Sequence, residues 1–188
     1  MGRFDSYSGL LTAYPYAFRH SDSRLFRSYV VVSALLGALF AFLMAGALVV
    51  LVGNTAGARG GSLTLSRTFY VVVGLFVFAP LVGPVLLVAR RHRRETPVAP
   101  RYDAALGAAG YAFVISVYLG VVASMPAEFR TNGELVARPE PSGLFAPVVE
   151  LLYAIPGVAS PVVPLVGALV VYAVHRWYRS KRGNGERA

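Results

Sequence analysis

Cysteine is absent from this chain, which excludes disulfides, thiolate metal sites, a cysteine nucleophile and lipid attachment through sulfur. Acid is scarce too: nine Asp and Glu stand against eighteen Lys and Arg. Mg²⁺-dependent transfer of lipid phosphates needs paired carboxylates at one helix end, and no such pair occurs on the basic side of the sequence. The nucleophile elbow, the P-loop, the dinucleotide fingerprint and the paired-histidine zinc motif are missing as well. With only 14% charged residues, 56% hydrophobic residues and a mean hydropathy of +0.58, the composition is that of a protein built for lipid, since a soluble domain is about a quarter charged.

Four apolar runs account for that composition. The first, 29–52, is YVVVSALLGALFAFLMAGALVVLV and holds no charge. The others are 68–89, 104–124 and 160–178, each near the length a helix needs to cross about 30 Å of hydrocarbon. The run before Ala56-Gly57-Ala58 is too long for a signal peptide and is read as a span. The expected fold class is therefore all-α, a polytopic membrane protein with four transmembrane helices in a single domain.

Orientation follows from the arginines. Fourteen of the eighteen basic residues form three clusters: Arg3, Arg19, Arg24 and Arg27; Arg90, Arg91, Arg93, Arg94 and Arg101; and Arg176, Arg179, Lys181, Arg182 and Arg187. Only Arg59, Arg67, Arg130 and Arg138 fall in the alternate gaps, so the positive-inside rule places both termini in the cytoplasm of a multi-pass cell-membrane protein. The formal charge of +9 then needs no nucleic acid. The clusters flank apolar ends, where they set topology and meet the anionic headgroups of the lipid bilayer.

Between the spans, 1–28 reads as an interfacial segment broken at Pro15, with Ser21 or Asp22 capping the first span. Asn54 to Ser66 reads as a short outer loop turning at Gly60-Gly61, and the Arg-rich link after the second span as an extended connector. Asp103 is the expected cap of the third span. The polar, breaker-rich segment 125–143 is expected outside the bilayer, and no strand is assigned to it. A short outer amphipathic helix over about 144–155 follows, with Leu144, Val148, Leu151, Leu152 and Ile155 on one side and Glu150 opposite. A break at Pro156-Gly157 leads to the fourth span, capped by Ser160, and a basic tail, 179–188, closes the chain.

The clearest packing signal is a row of small residues every fourth position in the third span: Ala108, Ala112, Ser116, Gly120 and Ser124. Small side chains on one helix face let another backbone approach closely. Gly37, Ala41 and Ala45 offer a partner row on the first span, serving either a helix bundle or the association of two copies. Pro80 and Pro84 should kink the second span, because each removes a backbone donor. Glu150 is the one acidic residue of uncertain depth. His20, His92 and His175 lie at cytoplasmic span ends without the spacing of a metal site, and no cofactor is expected.

The run SDSRLFRSYVVVSALLGALFA, with the lead DSYSGLLTAYPYAFR, resembles small uncharacterised archaeal integral membrane proteins. The resemblance covers the first third of the chain and implies a multi-span membrane protein. It carries no functional residue. The leading expectation is a non-enzymatic accessory subunit or scaffold, associating with another membrane protein or with itself through small-residue helix faces. The alternative is a small transporter or channel that uses the proline-broken second and fourth spans, with Glu150, Pro80 and Pro84 as its candidate residues.

Overall fold

The computed structural model describes residues 9–55, 61–94, 101–131 and 133–185. Among them are six α-helices and one hairpin: α1 (Leu10–His20), α2 (Arg24–Thr55), α3 (Gly61–Arg93), α4 (Tyr102–Ala123), β1 (Glu128–Thr131), β2 (Glu134–Ala137), α5 (Ala146–Tyr153) and α6 (Val162–Gly185), with a 3-10 turn at Gly157–Ala159 before α6. Four stretches are long and apolar enough to cross a membrane: Arg24–Thr55, Val71–Arg93, Tyr102–Ala123 and Gly157–Ser180. The 32 residues of α2 reach about 48 Å at 1.5 Å each, well beyond the hydrocarbon thickness. Arg3, Ala56-Gly57-Ala58, Arg59, Gly60 and Arg187, on which parts of the orientation, signal-peptide and loop readings rested, lie outside the described residues. Helix α3 starts at Gly61 and continues to Arg93, so the expected outer loop ends earlier than Ser66 and the first residues of the link are helical. Two compact units are formed, one by Met1–Tyr111 with Val171–Ala188 and one by Ala112–Val170.

In the first unit α1 packs against α2 and α3, burying Ala13, Tyr16 and Ala17. It runs unbroken through Pro15, contrary to the expected break. Proline there removes one donor, the partner of the Leu11 carbonyl, and a helix docked along one side tolerates that loss. The cap of α2 is also one or two residues later than expected. Ser23 Oγ accepts the Phe26 backbone N–H at 3.2 Å, the usual N-cap bond to the third helical residue, which releases Ser21 for another contact.

Helix α2 meets its neighbours through glycines. Gly37 lies against Phe78 and Leu81 of α3, with 3.6 Å from an added Cβ to the Phe78 ring. Gly107 and Gly110 of α4 take in Phe26 and Tyr29: a Cβ on Gly107 would stand 3.0 Å from the Phe26 Cα, and one on Gly110 would overlap the Tyr29 ring. Tyr29 is fully buried and donates its hydroxyl to the Leu81 carbonyl at 2.5 Å. Leu81 lies next to Pro80, whose carbonyl is the one that Pro84 leaves without its helical donor. Tyr29→Phe should cost about 1 to 2 kcal/mol of stability in detergent. An unchanged melting temperature would mean that the carbonyl finds another donor.

In the second unit Ser116 and Gly120 of α4 pack on α6. A Cβ on Gly120 would lie 2.8 Å from Pro164 Cδ, and one on Gly167 would fall on the Ser116 hydroxyl and 3.1 Å from the Phe113 Cα. Beyond α4 the chain forms the hairpin that the all-α reading omitted, with Phe129 opposite Val136 and Arg130 opposite Leu135. Its signal was the dipeptide Asn132-Gly133, because a two-residue connection needs positive φ and Gly133 has φ +90°. Ser160 does not cap α6 by its side chain; its hydroxyl donates back to the Gly157 carbonyl at 2.8 Å, closing the 3-10 turn.

Candidate functional site

The most concentrated polar chemistry of the first unit lies where α1 and α3 end and α4 begins. Asp103 sits in the first turn of α4 and is buried. Its Oδ2 accepts two donors, the Ser21 hydroxyl at 2.6 Å and His92 Nε2 at 2.9 Å, so His92 carries its proton on Nε2 in this arrangement. The serine bond is as short as charge-assisted bonds to carboxylate usually are. Oδ1 of the same carboxylate is buried without a hydrogen-bond partner. Ser21 is tied in further, its carbonyl accepting Arg27 Nε at 2.7 Å and its hydroxyl accepting the Ser23 N–H at 3.3 Å.

A second group adjoins the first in sequence. The Arg91 guanidinium stands 4.0 Å over the Tyr102 ring, while the Tyr102 hydroxyl pairs with His175 Nδ1 at 2.8 Å. Tyr178 packs edge-on against Tyr102, centroids 5.5 Å apart. Arg91 Nη1 is buried without a hydrogen-bond partner. At the same end of α1, His20 stacks on Tyr16 at 4.0 Å and bonds its carbonyl at 2.9 Å. In the same helix, burial pushes the Tyr14 phenol above its ordinary value, with the Ser33 hydroxyl pulling weakly the other way.

This arrangement binds helices rather than activating a nucleophile. A serine nucleophile needs an imidazole to take its proton, but the Ser21 hydroxyl donates its hydrogen bond to the carboxylate and His92 addresses the same oxygen. Asp103 therefore joins a serine from α1 and a histidine from α3 to the start of α4. No group of three or more His, Cys, Asp and Glu capable of holding a metal ion occurs among the described residues.

The family model described as Domain of unknown function (DUF8056) matches residues 1–179. The chain belongs to the DUF8056 family. No curated protein and no solved structure matches it.

The residues singled out from the DUF8056 sequence fall in different settings. Ser116 and Gly120 are buried against α6, whereas Ala108, Ala112 and Ser124 of the same row are exposed. Gly37 is buried against α3, and Ala41 and Ala45 are exposed. Pro84 is fully buried, and a carbonyl between the two prolines, that of Leu81, is already held by Tyr29. Glu150 is exposed and lines a cavity of 450 Å³ with Arg138, Pro139, Glu140, Pro141, Tyr153 and Ala154. The buried Asp103 cluster was missed because Asp103, Ser21 and His92 each had an ordinary role at a helix end. One signal was available: Asp103 directly abuts the uncharged apolar run 104–124.

Proposed function

We propose that this DUF8056 chain is a multi-pass membrane protein with both termini in the cytoplasm. Its Arg clusters rest on anionic headgroups, and it works without catalysis as an accessory subunit or scaffold that associates through small-residue helix faces. The observation that carries this reading is on α2. Gly37 receives α3, but Ala41 and Ala45, four and eight residues on, remain exposed in the middle of the span, and only 6% of the most apolar window of α2 is buried. Small exposed residues at mid-span suit close contact with a second helix, from another protein or another copy.

Replacing Ala41 and Ala45 together by leucine tests this. Neither position is buried, so the thermal midpoint in detergent should stay near that of the parent. Association measured by cross-linking in native membranes should fall about ten-fold, and unchanged cross-linking would overturn the proposal. Transport draws less support, because Glu150, the acidic residue it would use, stands on the protein surface.

A further inference from the structure

The second unit carries an apolar surface that its own packing leaves open. Around α5, Leu144 is 90% exposed, Leu151 70% and Val158 96%, whereas Leu152 is buried. The other side of α5 is polar, with Glu150 on the cavity shared by Glu140 and Arg138. A short helix with one apolar side uncovered and one charged side solvated is the pattern of an element lying in a membrane interface.

Three contacts fix the level at which α5 sits. The Tyr153 hydroxyl donates to Met125 Sδ at 3.9 Å, and Arg138 Nη1 donates to the Met125 carbonyl at 3.4 Å, while its guanidinium lies 3.9 Å over the Tyr153 ring. Met125 follows α4 by two residues. At the entry to α6, a Cβ on Gly157 would stand 3.9 Å from the Ser124 carbonyl, so the chain leaves one candidate span and enters the next at the same level. Helix α5 is held at that level through Tyr153. An aromatic ring with an arginine beside it is suited to a bilayer boundary.

The geometry points to α5 and its flanks lying in the bilayer interface, with Leu144, Leu151 and Val158 in the acyl region and Glu140 and Glu150 in water. This inference rests on the membrane reading given above, and its occupant is the lipid surface itself. The apolar surface continues into the span: Ile155, Ala159, Val162 and Val166 line one apolar groove, so lipid that covers the span also reaches the end of α5. The segment between the third and fourth spans is thus in part a membrane element.

Because the chain has no cysteine, single cysteines report without background. Leu144→Cys, Leu151→Cys, Val158→Cys, Glu140→Cys, Glu150→Cys and the mid-span reference Phe42→Cys would be placed one at a time in the full chain. Each would be reconstituted in phosphatidylcholine vesicles at high lipid-to-protein ratio and exposed on both sides to a water-soluble maleimide. The thiolate that reacts is disfavoured in apolar surroundings, so positions 144, 151 and 158 should label about ten-fold slower than 140 and 150. If 151 labels as fast as 150 while 42 stays protected, the interfacial placement fails and the membrane reading stands. If 42 also labels fast, both fail, and equal protection at all six positions overturns the two-sided helix. Nitroxides at 144, 151 and 158 should collide more with oxygen than with a water-soluble nickel chelate, and the reverse order also overturns the proposal.

Discussion

Gly110→Leu is expected to lower stability by about 3 kcal/mol or more, or to prevent recovery of folded protein. A Cβ at this position would already overlap the Tyr29 ring, and the ring has no free path of retreat. Tyr29 is fully buried, packs edge-on against Tyr111 with centroids 5.3 Å apart, and is pinned by its hydroxyl to the Leu81 carbonyl. Overpacking a constrained site typically costs 1 to 3 kcal/mol or somewhat more, and rotating Tyr29 away would add the lost hydrogen bond of about 1 kcal/mol. Two controls give the result its meaning. Ala108→Leu, two residues away on an exposed side of α4, should change the detergent melting temperature little. Gly110→Ala should be partly rescued by Tyr29→Val, since the smaller side chain vacates the space that the new methyl needs. Equal tolerance of leucine at 108 and 110 would show that α2 and α4 do not meet where their glycines place them.

That contrast explains which part of the packing was legible. Glycines and alanines in the third span announced close approach, but the spacing chosen to describe it does not follow a straight helix. A step of four residues advances about 400° at 3.6 residues per turn, so the row from Ala108 to Ser124 drifts by about 160°. One partner cannot cover it. Ser116 and Gly120 therefore serve α6, while Ala108 and Ala112 turn outward and the contact with α2 passes to Gly107 and Gly110. The four long helices were legible because length and apolarity decide them without reference to any partner. The hairpin was legible in principle from Asn132-Gly133, but the charged and breaker-rich residues on both sides masked the short alternation of its strands.

The polar cluster was less legible for a different reason. Serine, aspartate and histidine at helix ends each have a local use, as a cap, a first-turn charge or a headgroup contact. The separation of 82 positions from Ser21 to Asp103 leaves no spacing rule to join them. Only the tertiary arrangement that docks α1 against α3 and brings α4 back beside them makes one carboxylate serve both donors. In the same way, the N-cap preference offered Ser21 or Asp22 for α2 and passed over Ser23, the cap the structure uses, because Ser21 is claimed by Asp103.

Asp103→Ala should therefore lose about 3 kcal/mol of stability, and the size of the loss separates two accounts of the residue. An acid in the first turn of a helix, acting only on the helix dipole, contributes about 0.3 to 1 kcal/mol. A buried carboxylate that accepts Ser21 and His92 contributes more, because each bond to a charged group is worth about 1.5 to 3 kcal/mol and its removal leaves buried donors without an acceptor. A loss near 3 kcal/mol identifies the network, and a loss below about 1 kcal/mol leaves only the helix-start charge. Asp103→Asn keeps the volume and an acceptor oxygen but removes the charge, so it should fall between the parent and Asp103→Ala. The pairing itself is tested by adding Ser21→Ala to each background. If the serine hydroxyl depends on the carboxylate, removing it from the Asp103→Ala protein should cost clearly less than removing it from the parent, a coupling of about 1 kcal/mol. Strict additivity would mean that the two side chains act apart, and α1 would then be held to α3 by the apolar contacts of Ala13, Tyr16 and Ala17 without help from the acid.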